Sequence, residues 1–525
     1  MLSWRRSGVS SSPTSLATNT VAQSAPLLIG YVCSFLSAPV VLAGLGLRAF
    51  GIWALTGALA QYATLLDFGV GQTLVRFVAL HVAQSRRAVT GIVGSHSEEA
   101  GSNAIGEFIA VGYASVAVVC AVLLALSFAL GPPLAHQFRG IGSRSMTALL
   151  LCSTTIVATS MLNRVLIAYS IGRRAMVAPN VAQSLTAVLY FICSIGVILL
   201  GGKLVAYAIA NAAAGVLGVV VTMTVVLRQT PKPPLCWPSR RRAKELVTFS
   251  VKNQALAISS LVNYQSDKVV LALFIGPAVA GAYELSNRVA LAARAVGVYT
   301  VSAMVPTLTA WRASGTRDQL VAAYERLTAI SSALAVPCLA LSAAVAPLLL
   351  RAWLGHAPRN GAVILAALSI AYVANTTTGV GYATAYAEGL PGIPARAAIA
   401  TALANVALTV GLTPVFGLWG TLTGTVVALT VGALYQVKLL HGRLSVPMAA
   451  YWRATLSTLV LSTVLTGPII VCDVAGASAT RWLASLLCVA SGVYYGVAYA
   501  VIAGRRGALP EAIMRRLPRF ATASA

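Results

Sequence analysis

Charged residues are scarce in this sequence, and acidic residues are the scarcest of them. Only 9% of the 525 residues are charged, with 12 Asp and Glu against 37 Lys and Arg. Soluble globular proteins carry about 25% charged residues. A chain this poor in charge cannot cover itself with a hydrated surface, which excludes a water-soluble globular protein. Its 58% content of hydrophobic residues predicts a protein whose solvent is a lipid bilayer.

Clusters of metal-ligating residues are also missing from the sequence. The 8 cysteines are scattered singly, mostly within apolar runs, and form no CxxC motif or Cys/His cluster at metal-ligand spacing. We therefore predict no metal site and no cofactor. The 5 histidines fall in predicted loops or at interfaces, which argues against a proton relay through them.

Long apolar runs occupy most of the chain. A bilayer core about 30 Å thick requires about 20 apolar residues in one helix, and the runs between polar breaks give fourteen such spans. Their predicted bounds are 18–43, 51–78, 105–130, 146–170, 179–200, 204–227, 247–274, 279–306, 325–349, 361–386, 396–415, 419–440, 454–472 and 481–503. The sequence therefore predicts an all-α, polytopic membrane protein with about fourteen transmembrane helices.

The basic residues are unevenly distributed among the connections between these spans. With the N-terminus in the cytoplasm, the inner segments carry 24 Lys and Arg residues and the outer segments carry 7. Cytoplasmic loops are enriched in Lys and Arg, so both termini are predicted to be cytoplasmic. The same distribution accounts for the net charge of +25 without a nucleic-acid partner.

A basic, proline-rich connection divides the predicted spans after the sixth helix. It contains the run Arg240-Arg241-Arg242 and is expected to lie on anionic lipid headgroups. We predict an N-terminal lobe at 1–227, a linker at 228–246, a C-terminal lobe at 247–440, and two further helices with a cytoplasmic tail at 441–525.

A short internal repeat supports two lobes of six helices each. Residues 51–55 (GIWAL) open the second span, and residues 281–285 (GAYEL) lie near the start of the eighth. An even number of spans separates the two motifs, which predicts a parallel repeat. In transporters built this way the substrate cavity is expected between the lobes.

Four stretches of the sequence carry a family resemblance. They are residues 51–76 (GIWALTGALAQYATLLDFGVGQTLVR), 267–289 (DKVVLALFIGPAVAGAYELSNRV), 353–355 (WLG) and 414–420 (PVFGLWG). Together with the fourteen-helix plan, they resemble the polysaccharide (O-antigen type) flippases of the multidrug/oligosaccharidyl-lipid/polysaccharide (MOP) exporter superfamily.

The resemblance implies a function and a location. It implies a V-shaped, two-lobe transporter of the inner membrane that moves undecaprenyl-pyrophosphate-linked oligosaccharide from the cytoplasmic to the periplasmic leaflet by alternating access. Such transport serves surface polysaccharides such as lipopolysaccharide O-antigen or exopolysaccharide. The partners implied are the lipid-linked oligosaccharide, membrane lipids and other polysaccharide assembly proteins. Sister families export drugs or flip lipid II, and both remain alternatives. The resemblance supplies no catalytic residue.

Six basic residues remain inside the predicted spans. They are Arg76, Arg164, Lys252, Lys268, Arg288 and Arg294. An ionisable group in hydrocarbon is costly, so each requires a partner, a water-filled cavity or an interface. Arg76 and Arg164 lie near the inner headgroups, where long side chains snorkel. Asp67, next to Gly69 and Gly71 in the cytoplasmic half of its span, either caps a kink or binds a coupling cation.

The seventh and eighth spans form a predicted hairpin whose turn centres near Pro277. Asp267 and Arg288 lie at similar depth on its two arms, which predicts an ion pair between them. Glu284 and Arg288, four residues apart, can also pair along one helix face. Besides this structural role, ion coupling by Asp267 remains open.

The same hairpin carries more positive than negative charge. Arg294 is its deepest charged residue, and no acidic residue lies level with it on either arm. A guanidinium contacts phosphate oxygens through two donors at once. We therefore predict that Arg294, with Lys252, Lys268 and Arg288, binds the anionic pyrophosphate of the substrate.

Uncharged polar residues also fall inside the predicted spans. They are Asn19, Gln23, Gln61, Tyr62, Asn253, Gln254, Asn263, Tyr264, Gln265, Tyr372 and Asn375. Two interpretations remain open, namely hydrogen bonds between helices and a hydrated cavity wall that tolerates sugars.

A function of another class is a membrane-embedded glycosyl polymerase or glycosyltransferase acting on the same lipid carrier. Such an enzyme requires acidic residues or a sizeable surface domain to bind a metal or act as a base. The outer connections hold almost no carboxylates, and the inner acids show no DxD spacing. We therefore expect a transporter and not an enzyme. A cation-coupled drug exporter would favour an acidic cavity, whereas the hairpin here is basic.

Overall fold

The structure is a computed structural model that describes residues 13–67, 74–75, 77–82, 96–138, 140–173, 175, 177–230, 236–237, 239–314, 317–475 and 480–505. Over these residues the bounded secondary structure consists of fifteen α-helices and one short 3-10 helix, Thr64–Asp67, and no strand. The predicted all-α fold is confirmed.

The helices follow one another with short connections. They are α1 Pro13–Ala63, α2 His96–Gln137, α3 Ser143–Gly172, α4 Val177–Leu199, α5 Leu204–Gln229, α6 Arg240–Phe274, α7 Pro277–Ser314, α8 Arg317–Ala344, α9 Ala346–Leu354, α10 Gly361–Thr377, α11 Gly379–Ala387, α12 Gly392–Phe416, α13 Leu418–Leu444, α14 Met448–Ala475 and α15 Arg481–Arg505.

Eleven helices in the described part of the chain are long and apolar enough to cross a membrane. Two features explain the difference from the fourteen predicted spans. Helix α1 contains the first predicted span and the described part of the second, with a break at Gly46, whose φ of 75° and ψ of 162° are not helical. Helices α6 and α7, with 35 and 38 residues, are long enough to span but carry too many polar and charged side chains to qualify by composition.

The helices divide into two compact units. The first consists of Met1–Gly44 and Ala60–Gln254, and the second consists of Leu45–Leu59 and Ala255–Ala525. The chain therefore leaves the first unit for fifteen residues of α1 and then returns to it. The lobe boundaries given by the sequence remain a prediction.

The first unit has its apolar core around α2 and α3. Leu74, Val78 and Phe108 are completely buried there, and the ring of Phe77 stacks on Phe108 with centroids 4.5 Å apart. The side chain of Arg164 is exposed on α3.

In the second unit, α1 and α7 contact each other backbone to backbone through two glycines. The carbonyl oxygen of Pro277 lies where a Cβ on Gly51 would stand, and the carbonyl oxygen of Leu47 lies 2.6 Å from an ideal Cβ on Gly281. Gly51 opens the GIWAL motif and Gly281 opens the GAYEL motif. The two copies of the repeat thus meet at the one residue type that permits so close an approach.

Candidate functional site

The second unit contains a cavity of about 330 Å³. Residues of six helices line it, namely α6, α7, α10, α11, α12 and α13. Its wall carries polar side chains on several of these helices, including Asn263, Ser302 and Gln436. Asn263 is 9% exposed, and its Oδ1 has no hydrogen-bond partner among the described residues. The volume lies at the lower end of the range for small-molecule sites, about 300–1,000 Å³.

Arg294 is the charged residue among the described residues that line this cavity. It reaches the wall from α7, and its Nε and Nη2 donate to Asn375 Oδ1 on α10 over 3.1 and 2.8 Å. The described residues contain no carboxylate in an ion pair with it. The guanidinium is therefore held by a neutral amide and keeps its full charge.

Two tyrosine rings form a corner around this guanidinium. Its central carbon lies 5.0 Å from the ring centroid of Tyr264 and 5.6 Å from that of Tyr372. The rings contact each other edge to face, with centroids 6.0 Å apart. The hydroxyl of Tyr372 donates to Asn287 Oδ1 over 2.7 Å. Both rings attract the cation through their electron-rich faces without neutralising it.

A break in the helix lies directly beside Asn375. Helix α10 ends at Thr377 and α11 begins at Gly379. The hydroxyls of Thr376 and Thr378 donate to backbone carbonyls three or four residues earlier, which competes with regular helix geometry. This polar run places Asn375 at the end of one helix, where its amide faces α7.

The other predicted cations of the hairpin have a carboxylate partner. Lys268 Nζ lies 2.6 Å from Glu284 Oε2, and Arg288 Nε lies 3.0 Å from Glu284 Oε1. The Lys268 side chain is only 7% exposed. The Arg288 guanidinium also lies 5.5 Å from the ring centroid of Phe50 on α1. Both cations therefore belong to a buried ion-pair cluster.

The predicted ion pair between Asp267 and Arg288 is wrong. Asp267 is completely buried, and its Oδ2 accepts hydrogen bonds from Tyr283 Oη at 2.6 Å and Thr425 Oγ1 at 2.8 Å. Equal distance from the turn fixes depth along a hairpin, but successive helical residues point about 100° apart. Helix α7 consequently presents Tyr283 to Asp267 and Glu284 to Lys268. The alternative pairing of Glu284 with Arg288 is the one that forms.

Several predicted residues lie outside what the structure describes. The side chains of Lys252 and Asp67 are outside the described residues, although their backbones lie in α6 and at the end of the 3-10 helix. Arg76 is outside them altogether. The roles of Lys252 and Asp67 in substrate binding and ion coupling remain predictions.

The structure sorts the polar residues that the sequence left open. Asn263, Tyr264 and Asn375 line the cavity, whereas Tyr372 bonds to a neighbouring helix. Gln436 was missed as a wall residue because it stands alone near the end of an apolar run. The signal that finds the site is the cavity and its one cation, which only packing reveals.

Comparison with known proteins places these observations in context. Residues 16–311, more than half of the chain, match the sequence family described as polysaccharide biosynthesis protein. Among curated proteins, no sequence matches the chain.

Three solved structures share its fold. A lipid II flippase MurJ in an inward closed conformation has a TM-score of 0.67 at 12% identity, covering 93% of this chain and 99% of MurJ. An inward-facing multidrug resistance MATE transporter of the MOP superfamily has a TM-score of 0.59 at 18% identity, covering 81% and 98%. The MATE multidrug transporter DinF-BH in complex with R6G has a TM-score of 0.55 at 15% identity, covering 83% and 97%.

Proposed function

The chain belongs to the polysaccharide biosynthesis protein family, and we propose that it is a flippase for undecaprenyl-pyrophosphate-linked oligosaccharide. The lipid is carried from the cytoplasmic to the periplasmic leaflet of the inner membrane by alternating access. Surface polysaccharides such as O-antigen or exopolysaccharide are the products served. The fold shared with MurJ and MATE transporters supports a transporter and not an enzyme.

The observation that carries this proposal is the uncancelled charge of Arg294 on the cavity wall. An anionic pyrophosphate that enters a membrane protein sheds water, and a fixed cation with free donors replaces part of that hydration. Arg294 is bonded to a neutral amide, and no carboxylate lines the described part of the cavity. Such a site attracts an anion and repels an organic cation, which counts against a drug exporter.

The rest of the wall suits a sugar. Amide and hydroxyl groups of Asn263, Ser260 and Ser302 offer hydrogen bonds to the hydroxyls of a glycan. Tyr382, which is 41% exposed, adds an aromatic face to the same wall. A cavity of this volume holds a pyrophosphate and the sugar next to it, not a whole oligosaccharide.

Transport also requires that the lipid be released. A single guanidinium supplies a binding contact that hydration on the far side can replace. A ligand that bound one conformation far more tightly than the other would trap the protein in that conformation. One exposed cation therefore fits a carrier better than a cluster of several.

A deletion strain tests the substrate directly. We expect it to accumulate lipid-linked oligosaccharide in the cytoplasmic leaflet and to lose surface polysaccharide. Wild type should restore the polysaccharide, and Arg294→Ala should not, at equal amounts in the membrane. Arg453→Ala is the matched control, because Arg453 pairs with Glu325 at an exposed site away from the cavity. Complementation by Arg294→Ala would contradict the proposal.

A second candidate is a lipid II flippase, favoured by the fold shared with MurJ. Both lipids carry a pyrophosphate, so Arg294 suits either one. The deletion strain separates them, because accumulation of lipid II in place of lipid-linked oligosaccharide would select this second candidate.

The orientation is part of the proposal. Both termini are placed in the cytoplasm by the distribution of basic residues, 24 inside against 7 outside. A reporter fused just before Arg240 should report cytoplasm, and one fused between α9 and α10 should report periplasm. Contact with other polysaccharide assembly proteins is expected at the cytoplasmic or periplasmic surface, where crosslinking in cells would detect it.

A further inference from the structure

We propose that Asn375 is a positioning residue that orients Arg294 toward an anion without cancelling its charge. The inference rests on the proposed function and deepens it. Asn375 Oδ1 accepts both the Nε and the Nη2 hydrogen bonds of Arg294, on a helix 81 residues further along the chain.

The donor inventory of Arg294 shows what this contact leaves over. A guanidinium has five N–H donors. Asn375 occupies the edge formed by Nε and Nη2, which takes two of them. The edge formed by Nη1 and Nη2 has no partner among the described residues and borders the cavity lined by Arg294. That edge is the one that bidentate contact with a phosphate uses.

The neutrality of Asn375 is as important as its position. An aspartate has the same shape and would bond to the same two nitrogens, but it would form a buried, charge-assisted ion pair. The paired guanidinium would then present no net charge to the cavity. Within the same unit, Glu284 provides Lys268 and Arg288 with such a partner. A carboxylate is therefore used where a cation is structural, and an amide is used where the cation faces the cavity.

The rings of Tyr264 and Tyr372 complete the arrangement. They contact the guanidinium at 5.0 and 5.6 Å and hold it in place without supplying negative charge. With the amide on one edge and the two rings in a corner, the side chain has one open edge. The ligand, not the protein, supplies the counter-charge.

The test uses the purified full-length protein and geranyl pyrophosphate as a soluble probe that carries the pyrophosphate but no sugar. We expect Asn375→Asp to unfold at the same temperature as wild type or higher, because it gains an ion pair. We expect the same variant to bind the probe at least about tenfold more weakly. A merely structural amide would show no such division between stability and binding.

Gln436→Glu is the matched control. It makes the same amide-to-carboxylate change on the wall of the same cavity, but Gln436 has no hydrogen bond with Arg294. Its loss of probe binding should be smaller than that of Asn375→Asp. An equal loss would show a general effect of negative charge and would overturn the positioning role.

Asn375→Leu provides a second variant that adds no charge. It frees the guanidinium from its acceptor, so probe binding should weaken while Arg294 stays cationic. Wild-type binding by either Asn375→Asp or Asn375→Leu would overturn the inference and leave the proposed function standing. If wild type binds the probe and the variants behave as expected, but no lipid-linked oligosaccharide is flipped, the proposed function fails and the inference stands.

Discussion

Helix α7 carries two arginines whose surroundings differ in one essential respect. Arg288 is bonded to the carboxylate of Glu284, and Arg294 is bonded to the amide of Asn375. Both are arginines within the same predicted span, less than two turns apart. The comparison teaches that the partner, and not the presence of a charge in the membrane, decides whether an intramembrane arginine is structural or available to a ligand.

The largest effect is expected where the carboxylate is removed. In Glu284→Gln, Lys268 loses its ion-pair partner while its side chain, 7% exposed, stays buried. Breaking a buried ion pair costs about 3–5 kcal/mol, so the amount of folded protein and its unfolding temperature should fall sharply. Thermal unfolding in detergent measures this.

The exposed pair of Arg453 and Glu325 is the control for that variant. Exposed ion pairs contribute about 0–1 kcal/mol, so Glu325→Gln should unfold close to wild type. A Glu284→Gln protein as stable as Glu325→Gln would remove the structural half of the comparison.

The next effect concerns Asp267, a third ionisable group of the same hairpin, whose partners are hydroxyls. Asp267→Asn replaces one carboxylate oxygen by an NH₂ group in a completely buried place. Hydrogen bonds to a charged group contribute about 1.5–3 kcal/mol each, so we expect a loss of about 1–3 kcal/mol in stability. Flipping should fall only with the amount of folded protein. Loss of flipping at normal folding would instead support ion coupling by Asp267.

A change within Arg294 itself sharpens the other half of the comparison. Arg294→Lys keeps the charge but loses the planar fork, and an ammonium cannot bond to Asn375 and present a bidentate edge together. We expect the initial rate of flipping in liposomes to drop about tenfold, equivalent to about 1.4 kcal/mol, with little change in unfolding temperature. A wild-type rate would show that charge alone suffices.

Part of this picture could be predicted from the sequence. The surplus of positive charge on the hairpin singled out Arg294, because charge and helical rise can be counted along two arms that are joined by a short turn. Asn375 appeared only as one of several polar residues in spans. Its contact with Arg294 joins residues 81 positions apart, and the helix break at Thr378 that places it has no periodic signature.

The error over Asp267 has the same cause. Depth in the membrane follows from residue count, whereas the direction in which a side chain points depends on how helices rotate against each other. Thr425 reaches Asp267 from α13, 158 residues away. The sequence therefore predicted the spans and the location of charge, but not the partners that give each charge its role.

The smallest effect separates the Tyr372 ring from its hydroxyl. Tyr372→Phe keeps the ring beside Arg294 but removes the donor to Asn287 Oδ1, which is itself buried. A buried acceptor left without its partner costs about 1–3 kcal/mol, and relaxation toward other donors brings the expected loss to about 1 kcal/mol. Because the cation contact depends on the ring face and not on the hydroxyl, binding of geranyl pyrophosphate should stay at the wild-type level. Tyr372→Leu, which removes the ring as well, should weaken binding in addition. If Tyr372→Phe and Tyr372→Leu weaken binding equally, the hydroxyl positions Arg294, and the contrast between a paired and an unpaired arginine depends on a hydrogen bond and not on the aromatic corner.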